Sequence, residues 1–120
     1  MTYDEAFARL SRSKFRSRFH LSAADTAYID RVGIDKIRSH ATDFVISRLA
    51  PVPGETDGKQ TPMRGHPVFV AQHACALCCR GCMNKWYRVP ADRPMTDREI
   101  EKTVNFLMLW IEREYALNKH

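Results

Sequence analysis

G-H-P-V-F-V-A-Q-H-A-C-A-L-C-C-R-G-C-M-N-K-W-Y, residues 65–87, holds all four cysteines of the 120-residue chain and two of its five histidines. The cysteines fall as C-A-L-C and then at once C-R-G-C, two C-x-x-C units back to back. Pro67 suits a first helical position, where its missing N–H would have had no partner anyway. The apolar residues behind it predict a helix from Pro67 to about Arg80, with Gly81 kinking or ending it before 82–87. At the α-helical pitch, Cys75, Cys78, Cys79 and Cys82 share about a 100° arc of one such helix. Where that helix breaks decides whether the arc is a packed face or a site.

The flanking segments also read as helices. Tyr3–Leu10 predicts a short one. Phe15 and Phe19, four apart, suit docking of one helical face on the core. Ser22 with Asp25 three positions on has the form of a capping box opening a helix that runs to Val32. Gly33 fits the left-handed residue after it, and Asp35 suits the cap of the next helix. Ile37, Ala41, Phe44, Val45, Arg48 and Leu49 follow at helical spacing until Pro51 stops them. Asp35 and Asp43 on the polar side of that helix argue against a major-groove reader. Thr96 and Glu99 form a second capping box, opening a long final helix to about Leu117. Its stripe is Ile100, Val104, Leu107, Met108, Ile111 and Tyr115, with Phe106, Leu109 and Trp110 spilling over. A helix apolar on more than one face is either central in the core or shared with a second copy of the chain in a homo-oligomer.

The expected fold is therefore all-α, a compact single domain of five or six helices. Residues 1–20 stand as a basic N-terminal segment and residues 21–120 as the helical domain. Residues 51–66 form a long Pro/Gly-rich connection expected to pack over the cysteine helix. No strand alternation and no internal repeat is visible.

Composition narrows the classes. Hydrophobic residues make up 44% and charged residues 28%, which suits a globular chain and not a disordered one. No apolar run approaches the ~18 residues of a membrane span. Asp4 and Glu5 with no apolar run do not form a secretory leader, so a cytoplasmic location is expected. There cysteines are thiols or metal ligands rather than disulfides. The net charge of +5 brackets the cysteine stretch. A nucleic-acid site through Lys59, Arg64, Arg80 and Lys85 is one reading of it; a solvated surface is the other.

The four thiols admit several readings: small packed side chains, a redox pair, an iron–sulfur cluster, or a zinc site. The redox reading lacks the strand context that supports such motifs. For metal, thiolates three or four apart on a helix can turn onto one ion with Zn–S of ~2.3 Å. Four on one straight helix all approach from one side, so either the helix breaks at Arg80-Gly81 or ligands come from elsewhere. Cys78 and Cys82 are the preferred pair, with Cys75 or Cys79 and His66 completing the shell. On a continuous helix His73 points away from Cys75. An enzyme pocket between the 51–66 connection and the cysteine helix is a further reading, with no catalytic residue assigned.

The segments S-R-F-H-L-S (17–22), H-A-T-D-F (40–44), R-L-A-P (48–51), D-G-K-Q-T-P-M-R-G-H-P-V-F-V-A-Q-H-A (57–74) and C-C-R-G-C-M-N-K-W (78–86) carry a resemblance. Over about Phe15 to Trp110 the chain resembles a family of small bacterial proteins, domain of unknown function 4186. The resemblance implies a stand-alone bacterial cytoplasmic protein and brings no catalytic residues with it.

Overall fold

A computed structural model describes residues 1–52 and 61–119. Lys59 and half of the 51–66 connection, residues 53–60, lie outside the described residues. Within them the chain is all helical: α1 (Tyr3–Ser11), α2 (Ala23–Val32), α3 (Ile34–Phe44), α4 (Pro67–Ala74), α5 (Arg80–Tyr87) and α6 (Asp97–Asn118). A 3-10 turn covers Arg16–Arg18, and a π turn over Val45–Leu49 extends α3.

Local chemistry sets most of the ends. Ser22 and Asp25 exchange side-chain and backbone hydrogen bonds at the start of α2. Thr96 and Glu99 do the same for α6. Each box satisfies two N–H groups that a helix start leaves without partners. Gly33 ends α2 at φ +88°. It also stands directly before α3, and Asp35 lies in the first turn of α3 rather than capping it.

The helix expected over 67–80 ends early. Leu77 N–H bonds to the Gln72 carbonyl at 2.8 Å and Ala76 N–H to the His73 carbonyl at 3.4 Å. This pair of bonds is a Schellman stop. Its left-handed residue is Ala76, at φ +59°, where glycine is the usual occupant and an alanine costs roughly 1–2 kcal/mol. The stop turns the chain at Cys75. Gly81, expected at the break, lies inside α5 instead, and Cys79 is the residue that caps α5.

α6 runs through the middle of the molecule. Val104, Leu107, Met108 and Ile111 are buried against α3 and α4. Its second apolar face is also covered, because Phe106 packs against the Tyr3 and Phe7 rings of α1 at 5.4 and 4.9 Å. Ala6 and Leu10 of α1 thus join the same core as Ile37, Ala41, Val45, Leu49, Val68 and Ala71. Of the two phenylalanines after α1, Phe19 stacks on His73 while Phe15 stays exposed. The 3-10 turn between them does not keep the one-face spacing of an α-helix.

Pro51 stops the α3 extension and leaves carbonyls without helical partners. Arg80, fully buried, supplies the donors. Its Nη1 donates to the carbonyls of Leu49 and Ala50 at 3.1 Å and of Pro51 at 3.3 Å. Its Nη2 donates to Arg93 O at 2.6 Å and to Pro90 O. One guanidinium therefore ties the start of α5 to the end of the α3 extension and to the 90–93 turn.

Candidate metal centre

The break after Cys75 separates the four cysteines. Cys78 and Cys79 lie in the turn before α5, and Cys82 lies on its first turn. The Sγ atoms of Cys78, Cys79 and Cys82 all lie within 4.8 Å of one another. Cys79 to Cys82 is 3.0 Å and Cys78 to Cys82 is 3.6 Å. Cys79 Sγ also accepts from the Cys82 backbone N–H at 3.3 Å, which fixes the cap and the thiol together. Cys75 does not join the group. It closes α4 fully buried, and its carbonyl accepts the Tyr87 hydroxyl at 2.5 Å.

Arg16 completes the cluster. Its side chain comes from the 3-10 turn and is almost wholly buried. Nη1 donates to the His73 carbonyl at 2.8 Å and to Cys78 Sγ at 3.4 Å; Nη2 donates to Cys82 Sγ at 3.2 Å. Burial alone would lower the Arg16 pKa, but the hydrogen bonds and charge of Cys78 and Cys82 outweigh it and raise it. The three thiols are not equivalent. Burial pushes Cys78 up to about 12 and raises Cys79. Burial also acts to raise Cys82, but hydrogen bonds from Cys79, Arg16 and Cys78 overcome it and hold Cys82 below an ordinary thiol. Cys82, beside the guanidinium, is therefore the thiol that gives up its proton most readily, and Cys78 and Cys79 hold theirs more tightly.

His66 is placed elsewhere, which corrects its expected role as a ligand. It caps α4, its Nδ1 accepting the Val68 N–H at 3.0 Å. Its Nε2 faces His40 Nδ1 at 2.9 Å, among the rings of Tyr28, Phe44 and Phe69. Both ring nitrogens are engaged, so neither is open to an ion at the thiols. His73 is buried beside Arg16, with Nδ1 against the Phe69 carbonyl at 3.0 Å. Thr61, at the near end of the long connection, donates to the Cys78 carbonyl at 2.7 Å and accepts from Gln72 Nε2 at 3.2 Å.

Among the described residues, the basic side chains expected to face a nucleic acid are not gathered. Arg80 is buried against five carbonyls and cannot meet a phosphate, a correction that follows from the orphan carbonyls around Pro51. Arg64 and Lys85 border different hollows of the surface, and Lys59 lies outside the described residues. Sequence reasoning missed Arg16. Its only signal was an arginine amid aromatics, and the partners lie far along the chain.

Fold and site together define an all-α protein with a three-thiol cluster that is close-set enough for a metal ion. The chain belongs to the family described as domain of unknown function (DUF4186), whose model matches residues 4–112. No solved structure matches it. Among the described residues no helix is long and apolar enough to cross a membrane.

Proposed function

We propose that this protein binds a single zinc ion through the thiolates of Cys78, Cys79 and Cys82. The observation that carries the reading is the close approach of the three Sγ atoms around one point. Tetrahedral zinc with Zn–S of ~2.3 Å sets its sulfurs about 3.8 Å apart. Two separations, 3.0 and 3.6 Å, fall under that value, and no pair of the three is more than 4.8 Å apart. A cubic iron–sulfur cluster binds each cysteine to a different iron and spreads the sulfurs further, so the spacing favours one ion.

Charge supports the same reading. A divalent ion with three thiolates carries one net negative charge, and the Arg16 guanidinium cancels it. Its two N–H···S contacts are the kind of outer-shell hydrogen bond that orients metal ligands and tunes the ion. Three thiolates leave one tetrahedral position for a further ligand, the pattern of zinc sites that exchange a water or bind a partner group.

Cobalt(II) titration of the metal-free protein tests this. The expected result is saturation at one equivalent, with a thiolate-to-metal charge-transfer absorption that zinc displaces. Cys82→Ser should weaken both band and affinity. A titration with no charge-transfer band would return the thiols to packed side chains.

A further inference from the structure

A second hollow lies away from the thiols, between α1, α5 and the first turns of α6. Its volume is about 720 Å³, within the ~300–1,000 Å³ of ordinary small-molecule sites. Tyr3, Trp86, Tyr87 and Phe106 face it. Phe106 is buried and stacked under Tyr3, whereas Trp86 and Tyr87 are half-buried. Tyr3 stacks on Phe106 at 5.4 Å and Tyr87 meets it edge-on at 5.9 Å, so the rings form one packed aromatic wall whose half-buried members Trp86 and Tyr87 border the hollow.

The rim is cationic. Arg9 is held over the Trp86 ring and donates to its carbonyl at 3.0 Å. Lys85, Arg88 and Lys102 also line the hollow, and among the described residues their side chains make no hydrogen bond or ion pair. Glu99 is the one acid there. Both its oxygens are taken by Arg93, at 2.7 and 3.0 Å, so it does not neutralise the rim.

Arg88 is placed by the end of α5. It ends α5 in the left-handed region at φ +61° and ψ +27°. Glycine fits that position without strain, and a side chain there is disfavoured. This residue closes α5 as Ala76 closes α4, with Arg88 N–H on the Asn84 carbonyl at 3.0 Å and Val89 N–H on the Met83 carbonyl at 3.4 Å, and it leaves an exposed guanidinium lining the hollow.

We propose that this hollow is a binding site for a small anionic molecule with a planar ring, a chemistry shared by mononucleotides and aromatic carboxylates. The ring packs against the aromatic wall at the half-buried Trp86 and Tyr87, and the acidic group meets Arg88 and Lys102. The inference is independent of the zinc reading.

The test is a titration of the full chain followed through the Trp86 indole N–H by nitrogen-15 NMR. The probes are adenosine monophosphate, naphthoate, adenosine and inorganic phosphate. Saturable shifts with adenosine monophosphate or naphthoate support the site, and whichever binds tells the two sources apart. Neutral adenosine and ring-less phosphate should bind at least about tenfold more weakly. Arg88→Gly should keep or raise the melting temperature, because the backbone is relieved, while lowering affinity by about tenfold or more. Lys102→Ala should lower affinity similarly. The proposal is overturned if neither anionic probe saturates, if adenosine binds as well as its monophosphate, or if Arg88→Gly and Lys102→Ala leave affinity unchanged.

Discussion

Arg16 Nη2 lies 3.2 Å from Cys82 Sγ, so a cation from the first twenty residues is paired with a thiol on α5. The contact is charge-assisted when Cys82 is a thiolate. It ties the basic N-terminal segment to the cysteine turn.

Removing Arg16 should therefore act on the thiols before it acts on the fold. In metal-free protein at neutral pH, Arg16→Gln should slow alkylation of Cys82, because the thiolate loses its main cationic partner. In metal-loaded protein it should weaken zinc by about 10–100-fold, the usual range for an outer-shell partner. Arg16→Lys should recover part of both, since an ammonium supplies charge but not the two-pronged geometry. Alkylation rates and competition with a chelator of known affinity check both. Equal rates in Arg16→Gln and the parent would break the link.

Arg80 should be the most sensitive charged residue for stability. Arg80→Ala leaves five carbonyls short of their donor, and an unsatisfied buried group costs about 1–3 kcal/mol each when no water replaces the donor. A loss of at least about 3 kcal/mol is expected in denaturant unfolding. Arg80→Lys should not restore it, because three donors on one nitrogen cannot span both carbonyl groups. A surface arginine would show less than about 0.5 kcal/mol.

These two arginines mark the limit of what the sequence makes legible. Caps at Ser22 and Thr96 are readable because all their atoms lie within four residues. The stripe of α6 is readable because burial follows helical spacing. The end of α4 is not, because Ala76 takes the left-handed place where a glycine would have signalled it. That single turn excludes Cys75 from the thiol group and admits Cys79 as a cap. Spacing along one helix suggests Cys78 with Cys82; in the structure Cys78 precedes α5, and Cys79 lies nearer Cys82, at 3.0 Å against 3.6 Å. Arg16, Arg80 and the His40–His66 contact were not legible, because each depends on segments brought together only by the tertiary fold.

His66 sets a pH dependence. Its Nδ1 accepts the Val68 N–H, so the proton of the neutral ring sits on Nε2 and is donated to His40. Burial, then the neighbouring His40, lowers its pKa to about 4, against a small opposing pull from Asp25. The folded state therefore resists protonation more than the unfolded chain, whose histidine titrates near 6.5. The stabilisation is complete above about 6.5 and is lost as pH falls from there toward about 4. Allowing for partial exposure, the loss is roughly 1–2 kcal/mol. His66→Asn, which can keep a cap but has no proton to gain, should flatten that part of the stability–pH curve. An unchanged slope in His66→Asn would assign the dependence to other groups.

Zinc binding at the three thiols is decided by the metal content of protein purified under reducing conditions without added metal, read beside its count of reactive thiols. About one zinc per chain is expected, with Cys78, Cys79 and Cys82 protected from a thiol reagent until a chelator removes the ion. The triple replacement of these cysteines by serine should carry none. Substoichiometric metal, together with Cys79 and Cys82 reacting at the same rate with and without chelator, would contradict zinc binding at these thiols.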